Sequence, residues 1–318
     1  MRFFNGTIVL SDQRDENRIE IEGRLYDVDK LVSQKGVAGS PNSCIFLLKD
    51  PSGEESDRVM KVSRFFKPFP AGTDDRNKAI RRRYGRFIGE IDALTRAKDA
   101  GFTNVIEIQH NDILILDRKE FPYYVMEKAD STLKDYILEN PSLDEQDRLS
   151  LCMQLLSALR QLHSIEVYHR DIKPENIFMF GIEPEGKIVW KIGDLGLMAS
   201  RDKDYDYVGE RIGPFGWISP EVMNKYLTEA KGFGFDCRID NLSDIFQLGN
   251  VFWFIYQGNV PLGQVLYEDF VCNVEQQKDA IFGVIKDMIQ HSKARRAAEA
   301  TLDLIEDRLK PVRIALGV

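Results

Sequence analysis

A short polar run in the middle of the chain limits the fold more strongly than any other feature of the sequence. It reads His169-Arg170-Asp171-Ile172-Lys173-Pro174-Glu175-Asn176, and Asp194-Leu195-Gly196 follows shortly after it. Asp171 is a potential proton acceptor, and Asn176 and Asp194 carry the oxygen atoms that hard divalent cations prefer as ligands. The two runs therefore predict a proton acceptor and two metal ligands on neighbouring loops.

Both runs resemble loops of the protein kinase family, in which a phosphoryl group moves from ATP to a hydroxyl with Mg²⁺. The resemblance implies that Asp171 is the catalytic base and that Lys173 reaches the γ-phosphate. It also implies that Asn176 and Asp194 bind Mg²⁺, with Mn²⁺ as an alternative cation. Leu195 stands where the family usually has Phe. Because Lys173 two positions after the base is typical of serine/threonine kinases, the resemblance favours a serine or threonine acceptor.

Size, charge and cysteine content limit the class of function. A chain of 318 residues is long enough for about two domains or one large two-lobed unit. The net charge of −8 and the pI near 5.3 argue against nucleic acid as the main partner. No apolar run is long enough for a membrane span, and the four cysteines are scattered as in proteins of a reducing compartment. We therefore expect a cytoplasmic protein without nucleic-acid or membrane partners.

Strand patterns dominate the first half of the chain and helix patterns the second, which predicts an α+β fold. The predicted strands lie near residues 19–22, 45–48, 58–62, 112–116 and 123–126. The resemblance implies the two-lobed protein-kinase-like fold, with a small β-sheet lobe that contains one helix and a larger, mainly helical lobe. We predict an N-terminal extension with strands at residues 1–29, an N-lobe at 30–127 and a C-lobe at 128–312.

Three patterns predict helices in the second half. Ser142-Leu143-Asp144-Glu145 has the pattern of a capping box, which begins a helix. Residues 242–256 are apolar nearly all round, which predicts a helix in the middle of a core. Residues 294–309 alternate charged and apolar positions, which predicts one surface helix.

Glu90 lies beside an apolar stripe on a helix predicted over residues 75–98. The stripe consists of Ile80, Tyr84, Phe87, Ile91 and Leu94. A carboxylate beside buried apolar groups needs a cation, and Lys61 on a predicted strand is the candidate. In protein kinases such a pair holds the lysine against the α- and β-phosphates of ATP. The alternative is an exposed helix glutamate near the edge of the stripe.

The resemblance also implies a nucleotide site, although the loop that covers the phosphates departs from the family pattern. This loop contains Gly36 and Gly39, and its third glycine position falls on Ser43. Met126 is implied to guard the back of the site, and residues 127–129 to offer backbone hydrogen bonds to adenine. The residues implied to contact the nucleotide are Lys61, Ile45, Val59, Gly36, Gly39, Ser43, Met126, Glu127, Lys128, Ala129 and Phe178.

Residues 194–221 resemble the activation segment of protein kinases and end in Ser219-Pro220-Glu221. Arg170, directly before the implied base, is typical of kinases that are switched on by a phosphate in this segment. The hydroxyl groups between Leu197 and Glu210 are those of Ser200, Tyr205 and Tyr207. The alternative to a phosphate is partial substitution by Asp202, Asp204 and Asp206.

Three further residues are implied to have structural roles. His169 opens the catalytic-loop motif. Asp244 resembles the aspartate that anchors the backbone of that loop, and Arg295 is placed to pair with Glu221. We expect that loss of Asp244 or Arg295 would misalign the C-lobe.

The complete set of implied catalytic residues favours a serine/threonine protein kinase that uses ATP and Mg²⁺ to phosphorylate a protein. Two alternatives stay open. The first is a pseudokinase that binds nucleotide and docks partners, which the imperfect phosphate loop, Leu195 and Pro214 favour. The second is a kinase of a small metabolite. The sequence does not predict the oligomeric state.

Overall fold

The computed structural model describes residues 1–33, 36–37, 41–68, 75–182, 186–201, 205–261 and 263–318. The chain forms two compact units. The first comprises Met1–Ala100 and Ile106–Lys128, and the second comprises Gly101–Val105 and Ala129–Val318. The first unit is built on a β-sheet and the second is mainly helical, which confirms the predicted α+β class.

The first unit contains a six-stranded antiparallel sheet and one long helix. Its elements are β1 (Arg2–Phe4), β2 (Thr7–Val9), β3 (Arg18–Ile21), β4 (Arg24–Lys30), β5 (Val32–Ser33), β6 (Gly36–Val37), β7 (Ser43–Lys49), β8 (Arg58–Ser63), α1 (Asp75–Asp99), β9 (Ile108–Leu116) and β10 (Lys119–Glu127). The strand order in the sheet is β3-β4-β7-β8-β10-β9. Among the described residues, β1 pairs with β2 and β5 pairs with β6 in two separate two-stranded sheets.

The two faces of this sheet carry different residues because side chains alternate along a strand. One face carries the core of the unit, formed by Tyr26, Val28, Cys44, Phe46, Leu48, Met60, Val62, Tyr123 and Val125. Ile8 of the β1-β2 hairpin joins this core, and Phe3 packs on Phe121 with ring centroids 5.0 Å apart. Residues 1–29 therefore supply a hairpin to the core and two strands to the sheet.

Helix α1 buries its C-terminal half. Phe87, Ala93, Leu94 and Ala97 are buried, whereas Ile80 and Tyr84 of the predicted stripe are only half-buried. The helix ends where the amide of Ala100 bonds to the carbonyl of Arg96, and Gly101 follows with a φ of 70°. A glycine suits this left-handed position because it has no Cβ.

The second unit is organised around one buried helix. Its elements are β11 (Ser131–Thr132), α2 (Leu133–Glu139), α3 (Glu145–Ser164), β12 (Val167–Tyr168), β13 (Ile177–Ile182), β14 (Lys187–Ile192), β15 (Ala199–Ser200), α4 (Pro220–Thr228), α5 (Asn241–Gln257), α6 (Glu275–Met288), α7 (Lys293–Glu299) and α8 (Leu302–Leu316). Helix α5 is buried from Ser243 to Tyr256, as its apolar sequence predicts. Strands β11, β13 and β14 form one small sheet, and β12 pairs with β15.

Two helix predictions in this unit are wrong in detail. Helix α3 begins at Glu145 because the side chain of Asp144 accepts a hydrogen bond from the Asp147 amide, so the cap is not Ser142. The predicted surface helix over residues 294–309 is two helices. Helix α7 ends before Ala300, and Thr301 caps the start of α8 by accepting from the Leu304 amide.

Candidate active site

A buried ion pair joins the sheet of the first unit to helix α1. Lys61 on β8 lies 2.7 Å from Glu90 on α1, measured from Nζ to Oε1, and the two residues are 3% and 0% exposed. The Tyr124 hydroxyl donates to the same Glu90 oxygen at 3.0 Å. Sequence reasoning missed Tyr124. It lies opposite Lys61 in the β8–β10 pairing, and its period-two spacing from Met126 would have placed it on this face.

Four of the predicted nucleotide residues of the first unit, Ile45, Val59, Lys61 and Met126, lie on the sheet face opposite the core. Ile45 is the partner of Lys61 across β7 and β8, and Val59 is the partner of Met126 across β8 and β10. Val59 is buried, whereas Ile45 and Met126 are half-buried. This face presents apolar side chains around one buried ammonium group.

The remaining predicted nucleotide residues are spread over both units. Gly36 lies in β6, and Ser43 is buried in β7 opposite Ser63. Gly39 lies outside the described residues. Glu127 is half-buried and Lys128 is exposed. In the second unit, Ala129 and Phe178 are half-buried, and Phe178 lies on β13 opposite Thr132.

Helix α5 fixes the backbone that leads into Asp171. Asp244 accepts from the amides of His169 and Arg170 at 2.9 and 2.7 Å. Gln247, one turn further along α5, accepts from the Ile172 amide at 3.0 Å and donates to the Arg170 carbonyl at 3.1 Å. These bonds hold Arg170 at a φ of 70°, a conformation that is strained for a residue other than glycine.

Gln247 is a second residue that sequence reasoning missed. It lies three residues after Asp244, about one helical turn, so both side chains project from the same face of α5. A buried polar residue on an otherwise apolar helix needs hydrogen-bond partners, and this signal was present in the sequence.

His169 links this loop to the one that carries Asp194. Its Nε2 donates to the Gly193 carbonyl at 2.9 Å, and its Nδ1 accepts from the Asp171 amide at 3.2 Å. Both bonds are formed by a neutral imidazole with its proton on Nε2. Asp194 itself has a φ of 58°, and the following Leu195 is fully buried.

The carboxylate of Asp171 is held from one side. Its Oδ2 accepts from Lys173 Nζ at 2.6 Å and from Asn176 Nδ2 at 3.0 Å. Its Oδ1 is buried and has no hydrogen-bond partner among the described residues. Burial raises the pKa of Asp171, the Lys173 ammonium lowers it, and the Asp194 carboxylate raises it further, so the net shift is upward. In this arrangement Asp171 Oδ1 is available to accept a hydrogen bond from an additional donor.

The oxygen ligands near Asp171 fit a divalent cation. The mutual repulsion of Asp171 and Asp194 would be relieved by a positive charge. Asn176 uses Nδ2 for its hydrogen bonds to Asp171, so its ligand atom for a metal is Oδ1. Within the described residues, no three His, Cys, Asp or Glu side chains form a metal cluster. Mg²⁺ suits such a site because it takes one or two protein ligands together with phosphates.

The predicted partner of Glu221 is wrong by one position. Arg296, not Arg295, forms the buried ion pair with Glu221. Arg296 also donates to the Leu242 carbonyl at 3.1 Å, whereas Arg295 is exposed. The sequence places two arginines side by side, and only the orientation of the short helix α7 decides which one points inward.

Some residues of the stretch 194–221, which resembles a kinase activation segment, line a cavity of about 650 Å³ in the second unit. Ser200 lies on β15 in the wall of this cavity, together with Arg170 and Asp206. Tyr205 is half-buried and Tyr207 is exposed. Asp202 and Asp204 lie outside the described residues.

In the part of the chain that the structure describes, no helix is long and apolar enough to cross a membrane.

Comparison with protein families identifies the class. The protein kinase domain matches residues 73–313, which is most of the chain, so the chain belongs to the protein kinase family. The match begins after Lys61 and includes Glu90, the Asp171 loop and Asp194.

Individual relatives agree with this class. Serine/threonine-protein kinase cds1 of Schizosaccharomyces pombe is 32% identical over 176 residues, which is 55% of this chain and 35% of cds1. Calcium/calmodulin-dependent protein kinase type 1 of Caenorhabditis elegans is 34% identical over 139 residues, 41% of this chain and 39% of the relative. The membrane-associated tyrosine- and threonine-specific cdc2-inhibitory kinase wee-1.3 of Caenorhabditis elegans is 32% identical over 127 residues, 40% of this chain and 16% of the relative. The chain thus spans well under half of each relative.

Proposed function

We propose that this protein is a serine/threonine protein kinase that transfers the γ-phosphate of ATP to a protein hydroxyl in the presence of Mg²⁺. The observation that carries the proposal is the Asp171 carboxylate. One of its oxygens is held by Lys173 and Asn176, and the other is buried without a partner among the described residues. A hydroxyl donor from a substrate would satisfy this orphaned oxygen.

Each residue has a distinct role in this proposal. Asp171 Oδ1 accepts a hydrogen bond from the acceptor hydroxyl and orients its oxygen. It takes up the proton as the new oxygen–phosphorus bond forms and the bond between the γ-phosphorus and its bridging oxygen breaks, which releases ADP. Lys173 holds the Asp171 carboxylate and places a positive charge where the transferred group gains negative charge. Lys61, kept in place by Glu90 and Tyr124, binds the α- and β-phosphates. Asn176 and Asp194 would hold Mg²⁺, which when bound neutralises phosphate charge.

The preference for serine and threonine rests on Lys173, whose Nζ bonds to the base. The serine/threonine kinase cds1 among the relatives supports the same preference. The relative wee-1.3 is specific for tyrosine and threonine, so the labelled amino acid has to be identified.

The assignment of residues 30–127 and 128–312 to the two kinase lobes is part of the proposal, and the cytoplasmic location stays a prediction from the sequence.

Transfer of labelled γ-phosphate tests the proposal directly. Wild type is incubated with labelled ATP, Mg²⁺ and a generic basic protein substrate, and the labelled amino acid is then identified. Asp194→Asn removes a proposed metal ligand, and Asp279→Asn on the exposed side of α6 is the matched control. We expect phosphoserine or phosphothreonine with wild type and Asp279→Asn, and none with Asp194→Asn. Label on tyrosine alone would overturn the specificity. ATP-dependent thermal stabilisation without label would favour the pseudokinase alternative.

A further inference from the structure

Tyr124 lies where the sheet of the first unit meets helix α1. It is 1% exposed, and its hydroxyl donates to Glu90 Oε1 at 3.0 Å. Its ring packs on the Phe87 ring, with ring centroids 5.8 Å apart. Phe87 and Glu90 lie three residues apart on α1, so both project from the same face of the helix. Tyr124 therefore contacts the buried face of α1 at two points.

Lys61 is the second neighbour of Tyr124. The two residues are partners across β8 and β10, and Lys61 Nζ lies 5.8 Å from the centre of the Tyr124 ring, within the range of a cation–π contact. Glu90 Oε1 accepts from Lys61 at 2.7 Å and from Tyr124 at 3.0 Å, so one carboxylate oxygen takes two donors. Lys61, Glu90 and Tyr124 thus form one buried cluster, in which each residue contacts the other two.

The buried Glu90 carboxylate needs more than one donor. An ion pair inside a protein loses its hydration, and the attraction between the two charges offsets this loss only where further hydrogen bonds are made. The Tyr124 hydroxyl supplies such a bond from a rigid support, because its strand β10 pairs with β8 on one side and with β9 on the other. This bond does not involve Lys61, so it holds Glu90 whether or not phosphates bind the lysine.

We infer that Tyr124 is a positioning residue that acts through Glu90 and holds helix α1 against the sheet before any nucleotide binds. Lys61 is then already in place when ATP arrives, because Glu90 fixes its ammonium group. The inference rests on the proposed kinase function and adds what prepares the nucleotide site. The rival explanation is that the Tyr124 ring fills space in the core and its hydroxyl has no effect of its own.

Tyr124→Phe removes the hydroxyl and keeps the ring, and Tyr123→Phe is the matched control. Tyr123 precedes Tyr124 on β10 and is 3% exposed, and its hydroxyl lies 3.4 Å from His110 Nε2 on the other face of the sheet. Amide hydrogen exchange of residues 87–94 is measured without nucleotide. We expect exchange about tenfold faster in Tyr124→Phe, the effect of one hydrogen bond to a charged group, and wild-type exchange in Tyr123→Phe. Equal exchange in the two variants would overturn the inference.

Nucleotide separates the positioning role from mere filling of space. A non-hydrolysable ATP analogue with Mg²⁺ is added, and its binding is verified by thermal unfolding. By the proposed function its phosphates hold Lys61, which in turn holds Glu90, so the analogue replaces the lost hydroxyl. We expect it to restore slow exchange in Tyr124→Phe and to slow wild-type exchange less than about threefold. Slowing of wild type by more than about tenfold would show that α1 is not held without nucleotide. This measurement on wild type also decides the question if Tyr124→Phe does not fold.

Steady-state kinetics give a second readout. The nucleotide-bound forms of wild type and Tyr124→Phe share one arrangement, whereas the free variant spends less time in it, which weakens nucleotide binding. We therefore expect the KM for ATP to rise about threefold or more, while kcat stays within about twofold of wild type. An unchanged KM for ATP would contradict the inference.

A double variant shows whether the hydroxyl acts through Glu90. Glu90→Met removes the carboxylate, so Tyr124→Phe/Glu90→Met should exchange residues 87–94 at the rate of Glu90→Met alone. Additive effects would show that the hydroxyl acts elsewhere, and the inference would be wrong. A wild type that binds no nucleotide or transfers no phosphate refutes the proposed function. The exchange of Tyr124→Phe and Tyr123→Phe without nucleotide then still decides the role of Tyr124.

Discussion

At the scale of single residues, buried charges fix the local geometry around the predicted site residues within each unit. Lys61, Arg170 and Asp171 are all nearly inaccessible to water, and each has a partner of opposite charge. Removal of one partner of a buried ion pair costs more stability than removal of both partners. The effect of a substitution at these positions on stability therefore depends on whether the oppositely charged partner is left in place.

Lys61→Met should abolish most of the transfer activity and also destabilise the first unit. The loss of the ammonium group removes the proposed phosphate contact, so we expect activity to fall at least about 100-fold. The Glu90 carboxylate stays buried beside Tyr124, which costs about 3–5 kcal/mol of unfolding free energy. Lys61→Met/Glu90→Gln should recover stability but not activity. Lys49→Met, on the neighbouring strand with an exposed ion pair to Asp29, is the control for both measurements. Full activity of Lys61→Met would refute the role of Lys61.

Gly213 is the residue that gives Asp171 its space. It has a φ of 85°, and a Cβ at this position would lie 3.2 Å from Asp171 Oδ1. Gly213→Ala should therefore lower kcat by about 100-fold through displacement of the carboxylate, in addition to about 1 kcal/mol of backbone strain. Gly234→Ala has similar strain, at a φ of 75°, but no atom within 4 Å of the new Cβ. Steady-state kinetics and thermal unfolding of both variants separate the two effects. Equal kcat values would show that the contact has no consequence.

At the scale of elements, α5 holds the backbone of the loop that carries Asp171. Its apolar residues place α5 in the core of the second unit. Its rigid backbone then fixes the positions of the hydrogen-bonding groups of Asp244 and Gln247. The backbone of residues 169–172 bonds to these two side chains, and the bonds hold Arg170 at its strained φ. A helix is better suited to this task than a second loop because its side chains are locked by packing on all sides.

Gln247→Leu should lower both stability and kcat. The substitution leaves the Ile172 amide and the Arg170 carbonyl buried without partners, which costs about 2–4 kcal/mol. Gln154 is the matched control, because its amide makes the same two kinds of bond, to the Ile188 carbonyl and the Trp190 amide, at another place in the unit. Gln154→Leu should destabilise the protein without a change in kcat. Denaturant unfolding and kinetics of both variants test this, and a kcat that falls equally in both would contradict a specific role of α5.

We expect the β1-β2 hairpin to stabilise the first unit without taking part in catalysis. Ile8 is 4% exposed and belongs to the core of the first unit, whereas Phe4 is 55% exposed. Ile8→Ala should reduce the free energy of unfolding by about 2–4 kcal/mol, and Phe4→Ala by less than about 0.5 kcal/mol. Thermal unfolding compares the two variants, and kinetics at a temperature where both are folded should give wild-type kcat. A stable Ile8→Ala variant would show that the hairpin is dispensable.

At the scale of the whole molecule, the predictable features were those with a local pattern. The α+β class follows from the change of periodicity between the halves, and α5 follows from its apolar run. The register that places Tyr124 opposite Lys61 and the hairpin that covers the sheet depend on contacts between distant segments, which hydropathy does not encode. The choice between Arg295 and Arg296 needed the orientation of a two-turn helix. The contacts that position the predicted site residues therefore come from the fold and not from the sequence motifs.

The whole molecule should require Mg²⁺ for activity but not for its fold. Both units have apolar cores, and the described residues contain no cluster of three metal-binding side chains. Chelation by EDTA should therefore leave the unfolding temperature of the free protein unchanged. The same treatment should reduce transfer about 1,000-fold or more, because the charge of the phosphates is no longer neutralised. Added Mg²⁺ should restore wild type and the Asp279→Asn control, but Asp194→Asn should stay inactive at any Mg²⁺ concentration. A fall in unfolding temperature with EDTA would reveal a structural metal, and transfer that survives EDTA would exclude the assigned roles of Asn176 and Asp194.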